Sequence, residues 1–325
     1  MKTKKPDIFL GITMCMLVLA AVLCIVILFV QKSEKSPKPV ETNNPALESH
    51  QTDTGSAIVP SDSKDPATST QPVTPPQPVE LKDIDAEGLK AALDESLRGL
   101  TSEWQVMVID PAKETRVSSA INCKVDDWMT ANQMTQIYIM GAVFQQVKDG
   151  KLVLDSVIED VKAMINNNDF YAADRLTEQL GGGDAAAGRE AVKSFAESNG
   201  SKLGFNRPLA GTAGKKNYVS AAYTAEILSK LCRGELVSED ASRQMLDILT
   251  TPVADPAIDP GVTDAVKLGF VSDVEERVCI CSMGVVQLQN RSYVISVVCN
   301  EPVTTNGAKN KVTELIKLAE PYFAE

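Results

Sequence analysis

The order of strand-like and helix-like segments is the feature that most constrains the fold of this chain. Two short apolar runs, residues 104–109 and 114–121, precede a helical middle, and two longer runs, 276–287 and 292–300, follow it. Runs of this length, separated by turn residues, predict strands. We therefore predict an α+β fold in three α/β/α layers, with one antiparallel sheet built from both chain ends and an inserted all-helical subdomain.

Helical periodicity accounts for most of the remaining folded part. Residues 133–148 are apolar almost all round, which is typical of a buried helix, and Asp149-Gly150 ends them. Gly181-Gly182-Gly183 and Gly200 are interpreted as helix stops. Further helices are predicted at 83–97, 154–165, 171–180, 187–199, 220–231, 238–249 and 310–318.

The amino-terminal segment differs in character from the rest. Residues 1–7 form a polar head, and residues 8–30 form an apolar run without a charge, about 34 Å long as a helix and so about as long as a bilayer core is thick. A cleavable signal has a shorter apolar region, so we predict an uncleaved transmembrane signal anchor. Equal numbers of lysines flank the apolar run, so charge counting does not decide its orientation. So short a head, however, usually stays on the cytoplasmic side of the membrane. We therefore expect residues 31–325 to lie outside the cytoplasm.

Residues 31–80 hold 9 of the 17 prolines and no aromatic residue. Such a stretch cannot bury enough apolar surface to offset its ordering entropy, so we predict a disordered tether. At random-coil dimensions, about 50 residues reach roughly 40 Å. The folded domain is then residues 81–325, a length that suits one domain.

The charge balance restricts the partners of the folded domain. Beyond residue 40 the chain has 26 basic and 41 acidic residues, a net charge of −15. This balance argues against nucleic acid or anionic lipid as its partner.

The cysteines beyond residue 30 are odd in number, which does not suggest a disulfide framework. We interpret them as small buried hydrophobes. Cys279 and Cys281 share one face of a predicted strand. If the hairpin turns near Asn290, Cys299 lies opposite Cys281, and one bridge is the alternative. The five positions are Cys123, Cys232, Cys279, Cys281 and Cys299.

Several kinds of chemistry are excluded by the histidine content. The only histidine is His50, in the predicted tether. The folded domain therefore lacks the imidazole of a Ser-His-Asp triad, a Cys-His pair or an HExxH zinc site. No glycine-rich phosphate motif is present. We expect no metal and no cofactor.

Three segments, 131–143, 168–174 and 267–269, follow one another in a recognisable order. They resemble the S-x-x-K, S-D-N and K-T-G motifs of the class A serine β-lactamase and penicillin-binding-protein family, which needs no histidine. Counting back from Gly141 places Gln133 at the serine position and Gln136 at the lysine position. The degenerate motif positions are Gln133, Gln136, Asn168, Asp169, Phe170, Lys267, Leu268 and Gly269.

The resemblance implies a serine β-lactamase-like fold with its chemistry lost. A carboxamide can be neither the hydroxyl nucleophile nor the amine base of this family. Class A members also position water with a glutamate in a loop that falls near residues 202–216, and no acidic residue lies between Glu197 and Glu226. What the resemblance leaves is an oxyanion hole from the amides of Gln133 and Phe270. With Lys267 beside it, that hole suits a carboxylate ligand. The alternative is that Lys267 is a solvated strand residue.

The leading hypothesis is a membrane-anchored, extracytoplasmic pseudoenzyme that binds or scaffolds at the cell envelope. Its partners would be the membrane, through residues 8–30, and peptidoglycan or an envelope protein. One alternative is an active serine-hydrolase-like enzyme with an unrecognised nucleophile, such as Thr135 or Cys123. Another is an oligomerising structural ectodomain. The S/T-x-x-K matches at 61–64 and 212–215 open no apolar helix and are interpreted as chance.

Overall fold

The computed structural model describes residues 81–130, 133–211, 214–250, 265–274 and 277–324, and for 250, 265–274, 277 and 278 the backbone alone. All of them belong to the compact unit Thr74–Glu325. The predicted head, membrane span and tether lie outside the described residues. Within the described ranges, no helix combines the length and the apolar character needed to cross a bilayer.

A five-stranded antiparallel sheet forms the centre of the fold, in the order β2-β1-β7-β6-β5. β1 pairs along its length with β7, so that Trp104 lies opposite Cys299. The predicted sheet from both chain ends is therefore confirmed. A second sheet of two very short strands, β3 and β4, was not predicted. The strands are β1 Glu103–Asp110, β2 Thr115–Ile121, β3 Met129–Thr130, β4 Tyr218–Val219, β5 Ala265–Val274, β6 Arg277–Gln287 and β7 Ser292–Asn300.

The helices fall close to their predicted places. The largest shift is in the last helix, which begins at Thr305, because the Thr304 hydroxyl accepts the Gly307 N–H and caps it. A 3₁₀ turn, Glu320–Tyr322, follows. The helices are α1 Ala86–Leu97, α2 Thr135–Lys148, α3 Leu154–Asn166, α4 Phe170–Leu180, α5 Ala185–Ser198, α6 Ala221–Cys232, α7 Glu239–Thr250 and α8 Thr305–Ala319.

Two apolar cores lie on opposite faces of the sheet. Alternate side chains of β1 separate them, since Val106 and Val108 pack with α1 and α8, whereas Met107 and Ile109 pack with the inserted helices. This alternation follows from the two-residue period of a strand. The three-layer α/β/α architecture is confirmed.

The register of β6 and β7 corrects one cysteine prediction. Cys299 pairs with Ile280, whereas Cys281 pairs with Val298. A register difference of one residue turns side chains to opposite faces of a sheet, so Cys281 and Cys299 lie in different cores. The five described cysteines are free thiols, and those of β6 and β7 are fully buried as predicted.

Buried polar contacts fix the frame of the sheet. The Gln105 side chain donates to the carbonyls of Lys124 (2.7 Å) and Asp127 (2.9 Å) and accepts the N–H of Ala221 (2.9 Å). These bonds tie β1 to the turn after β2 and to the start of α6. Near the other end of β1, buried Asp110 forms an ion pair with buried Arg291.

Candidate functional site

The first motif lies at the start of α2. Gln133 is in the turn before the helix, and its carbonyl accepts the backbone N–H of Gln136 at 3.0 Å. The helix starts at Thr135 rather than at Gln133, and Met134 at the N-cap position supplies no side-chain cap. Gln133 is 2% exposed and Gln136 is fully buried. Both predicted site residues are therefore enclosed by protein.

The first and second motifs meet through two amides. Nε2 of Gln136 donates to Oδ1 of Asn168 at 2.8 Å. Asn168 has φ +54°, in the left-handed region that asparagine tolerates better than most residues. The structure thus brings the predicted lysine position and the first position of S-D-N into direct contact, and both hold neutral carboxamides.

Asp169, the one acidic residue kept from S-D-N, caps a helix. Its Oδ1 accepts the backbone N–H groups of Tyr171 (2.9 Å) and Ala172 (3.1 Å) at the start of α4. A carboxylate here satisfies two otherwise unpaired donors and complements the helix dipole. Phe170 is the first residue of α4 and is half-buried. The acid retained from this motif therefore serves the fold.

The third motif lies in β5, the edge strand of the large sheet. Lys267, Leu268 and Gly269 pair with Gly284, Met283 and Ser282 of β6, and Phe270 pairs with Cys281. The K-x-G positions therefore belong to a regular strand. The carboxylate site predicted from Gln133, Lys267 and Phe270 stays a prediction, because only the backbone of β5 is described.

The loop between α5 and β4 is held by a carboxylate that the sequence reasoning missed. The two oxygens of Asp174 accept the N–H groups of Leu209 (2.7 Å) and Ala210 (3.1 Å). Burial raises the pKa of Asp174, while these two N–H groups oppose that rise. Asp174 closes the second motif segment, which was the available signal.

The side chain of Asn217 joins two parts of the same loop. Oδ1 of Asn217 accepts the N–H groups of Asn206 (2.8 Å) and Arg207 (3.0 Å), and its Nδ2 donates to the Arg207 carbonyl (3.1 Å). Asn217 is almost fully buried. The loop is thus pinned at two places by side chains that bond its backbone.

The two alternative nucleophiles have unsuitable surroundings. Thr135 is fully buried, and its hydroxyl has no hydrogen-bond partner among the described residues, so no base is positioned to activate it. The Cys123 thiol lies 3.3 Å from the Trp104 carbonyl. Burial raises the pKa of Cys123 to about 11, which disfavours the reactive thiolate.

The polar side chains where α2 meets α4 can donate and accept hydrogen bonds. Among the described residues at this junction, no acid and base are paired so that a proton could pass between them. Oε1 of Gln136 is buried without a partner in this part of the chain. Across the described ranges, no group of three His, Cys, Asp or Glu side chains is arranged to hold a metal ion.

Comparisons with known proteins agree with this fold. The TLA-3 extended-spectrum β-lactamase superposes with a TM-score of 0.64 over 74% of this chain and 100% of its own, at 15% identity. PBP-A gives a TM-score of 0.60 over 73% of this chain and 96% of its own, at 16% identity. A variant of the class A β-lactamase of the last common ancestor of Gram-negative bacteria gives a TM-score of 0.58 over 72% of this chain and 97% of its own, at 21% identity. No curated protein matches the sequence significantly.

The sequence match locates where the family likeness is strongest. Residues 156–319, half of the chain, match the profile of the beta-lactamase enzyme family. That segment contains the second and third motifs but begins after α2, so Gln133 and Gln136 lie outside it. The assignment of these two glutamines therefore rests on their order in the chain and on the contact with Asn168. The match and the shared fold together establish the assignment: the chain belongs to the beta-lactamase enzyme family.

Proposed function

We propose that this chain is a β-lactamase-like pseudoenzyme that binds or scaffolds and does not catalyse acyl transfer. The observation that carries the proposal is the hydrogen bond between the amides of Gln136 and Asn168. Acyl transfer from a β-lactam needs a nucleophile whose proton passes to a nearby base. A carboxamide has no titratable proton near neutral pH and no basic nitrogen. The junction of the first two motifs therefore lacks both partners of that step.

The surroundings of the other candidates support the same proposal. Thr135 has no base within hydrogen-bond reach among the described residues. Cys123 is held mostly as a neutral thiol at physiological pH. Asp174, the acidic side chain that contacts the loop, spends both oxygens on backbone N–H groups.

The proposed location is the cell envelope. Residues 8–30 would anchor the chain in the membrane, residues 31–80 would form the tether, and the folded domain would lie outside the cytoplasm. The apolar run and the proline-rich stretch support this arrangement. Peptidoglycan or an envelope protein would then be within reach of the domain.

Hydrolysis of a chromogenic cephalosporin tests the loss of catalysis. Removing the nucleophile alone costs about 10⁶-fold in a triad serine protease, so we expect turnover by the wild-type chain at the level of buffer. Gln133→Ser combined with Gln136→Lys is the matched variant, and a class A β-lactamase is the positive control. Measurable turnover by the wild type, absent from a heat-denatured sample, would overturn the proposal.

A wall-fragment pull-down tests the binding role separately. The full chain in detergent micelles should sediment with purified peptidoglycan or with an envelope protein that is identified by mass spectrometry. Size-exclusion chromatography of the same sample distinguishes this role from a purely oligomerising ectodomain. A stable homo-oligomer with no sedimentation would favour the structural alternative.

A further inference from the structure

A small ribbon beside the motif positions presents one polar and aromatic face. Residues 202–206 run antiparallel to β4, where Gly204 and Tyr218 exchange both backbone hydrogen bonds at 2.9 Å. β3 pairs with the other edge of β4, with Thr130 opposite Tyr218. The inward side chains of these segments are buried in the helical core. They are Met129, Leu203, Phe205 and Val219.

Much of the opposite side of this ribbon is open to solvent among the described residues, whereas Thr130, opposite Tyr218, is buried. Because strand side chains alternate, the residues between the buried ones turn away from the core. Trp128 is 53% exposed, Lys202 and Asn206 are exposed, and Lys216 and Tyr218 are half-buried. We call these five residues the aromatic face.

Trp128 is held rigidly on this face. A Cβ added to Gly204 would lie 2.4 Å from Cζ3 of Trp128, so the indole ring rests directly on the glycine. Its other neighbour is Tyr218, with ring centroids 6.1 Å apart and planes tilted by 53°. The turn before it is fixed because buried Gln105 donates to the Asp127 carbonyl. A half-exposed tryptophan with so little freedom loses little entropy when a ligand covers it.

The cations of the aromatic face contrast with the acidity of the domain. Lys202 and Lys216 form no ion pair within the described residues, and no acidic residue lies between Glu197 and Glu226. Nζ of Lys202 sits 5.7 Å from the centroid of the Tyr223 ring, which leaves its charge at the surface. The acids nearest in sequence to Trp128 are Asp126 and Asp127, and the Asp127 carboxylate accepts the N–H of Lys124. The face thus carries two cations and two aromatic rings, with the exposed Asp126 and Asp127 at its border, on a domain of opposite net charge.

We propose that the aromatic face binds an acidic polysaccharide. A sugar ring can lie against the exposed indole, its carboxylate or phosphate can pair with Lys202 and Lys216, and the Tyr218 hydroxyl can bond its hydroxyl groups. Nucleic acid, with a phosphate about every 3.4 Å along each strand, is disfavoured more than a polysaccharide with one charge per sugar, since the net charge of −15 beyond residue 40 repels every charge that the two lysines do not pair. The surface contains none of the motif positions, so it stands independently of the loss of acyl transfer.

Intrinsic fluorescence tests this directly. The chain has two tryptophans, and Trp104 is 3% exposed, so a change of emission on titration reports Trp128. The full chain in detergent micelles is titrated with polygalacturonate, dextran, polyglutamate and an oligothymidylate. We expect a blue shift with polygalacturonate, and binding of the other three weaker by about tenfold or more.

Paired lysine variants separate the face from charge elsewhere. Lys202→Gln with Lys216→Gln should weaken polygalacturonate binding by about tenfold without unfolding the domain, since both side chains reach solvent. Lys151→Gln with Lys162→Gln, at the α2–α3 turn and on α3, is the matched control and should bind as the wild type does. Absence of polygalacturonate binding, equal binding by the first variant, or equal binding of polyglutamate or oligothymidylate would overturn the proposal.

Discussion

Two fully buried glutamines show how differently the frame and the motif positions are built. Gln105 in the sheet uses both ends of its amide, donating to two carbonyls and accepting one backbone N–H. Gln136 in α2 makes one bond, to Asn168, and its Oε1 has no partner among the described residues. The two side chains are chemically identical and equally hidden from water.

This difference teaches which residues the fold depends on. A buried polar atom without a partner costs about 1–3 kcal/mol, so the surroundings of Gln105 match a carboxamide and those of Gln136 do not. Asp169 resembles Gln105, because its Oδ1 accepts two backbone N–H groups as a helix cap. Gln105 and Asp169, which hold the frame, are matched by their surroundings, whereas the Oε1 of Gln136, at a catalytic position of the family, is not matched among the described residues.

Replacing each glutamine by methionine should give the largest difference in stability between the two sites. Gln105→Met leaves one buried N–H and two part-buried carbonyls without their partners and should lower the free energy of unfolding by about 4 kcal/mol. Gln136→Met removes an unpaired oxygen and should stay within about 1 kcal/mol of the wild type. Urea unfolding followed by near-ultraviolet circular dichroism measures both. Equal losses would show that the two sites are not different in kind.

Restoring a lysine at position 136 should be the next largest effect. A buried ammonium has a pKa below its unfolded value of about 10.4, because burial disfavours the charged form. Gln136→Lys should therefore destabilise by about 3 kcal/mol at pH 7, and the loss should shrink as pH rises toward 10.4. Unfolding at pH 7 and pH 10, with Gln136→Met as control, checks the sign. A lysine variant as stable as the methionine variant at pH 7 would mean that the site retains a counter-charge.

The cap of α4 gives a smaller effect. Asp169→Ala removes the acceptor of two backbone N–H groups and should cost about 1 kcal/mol, whereas Asp169→Ser keeps an acceptor and should recover most of it. The urea midpoint reports both variants. If the alanine variant were as stable as the wild type, the retained acid of the second motif would need another explanation.

The reactivity of Cys123 tests whether another region offers a hidden nucleophile. With its pKa at about 11, roughly one thiol in a thousand is ionised at pH 8. Alkylation by iodoacetamide, followed by peptide mass spectrometry, should therefore be slow at pH 8 and rise about tenfold per pH unit up to pH 11. A rate that is already maximal at pH 8 would mark an activated cysteine.

The sequence predicts the architecture well because the signals are local. The short apolar runs of β1 and β7 and the apolar surface all round α2 each specify a buried element, and such signals can be read without knowledge of the neighbours in space. α2 ends at Lys148, just before Gly150, whose positive φ of 70° suits the residue after a helix C-cap. The same reasoning finds the contact partners Gln136 and Asn168 only through their order in a known family pattern.

Features that depend on the pairing register of strands could not be predicted from the sequence. The alternative that placed Cys299 opposite Cys281 was wrong because a one-residue difference in the β6–β7 register decides which core Cys299 enters. The strands β3 and β4 are too short to show alternation, so the aromatic face around Trp128 was not foreseen. Asp174 bonds a loop 35 residues away, a contact that no local pattern encodes.

The central claim is that the family fold is kept while the acyl-transfer chemistry is absent. Intact-mass spectrometry of the wild-type chain after incubation with penicillin tests it most directly, with a penicillin-binding protein treated in parallel as the positive control. We predict an unchanged mass for this chain and a penicilloyl adduct on the control. A stoichiometric adduct on any residue of the wild-type chain would contradict the account, and peptide mapping would then name the nucleophile.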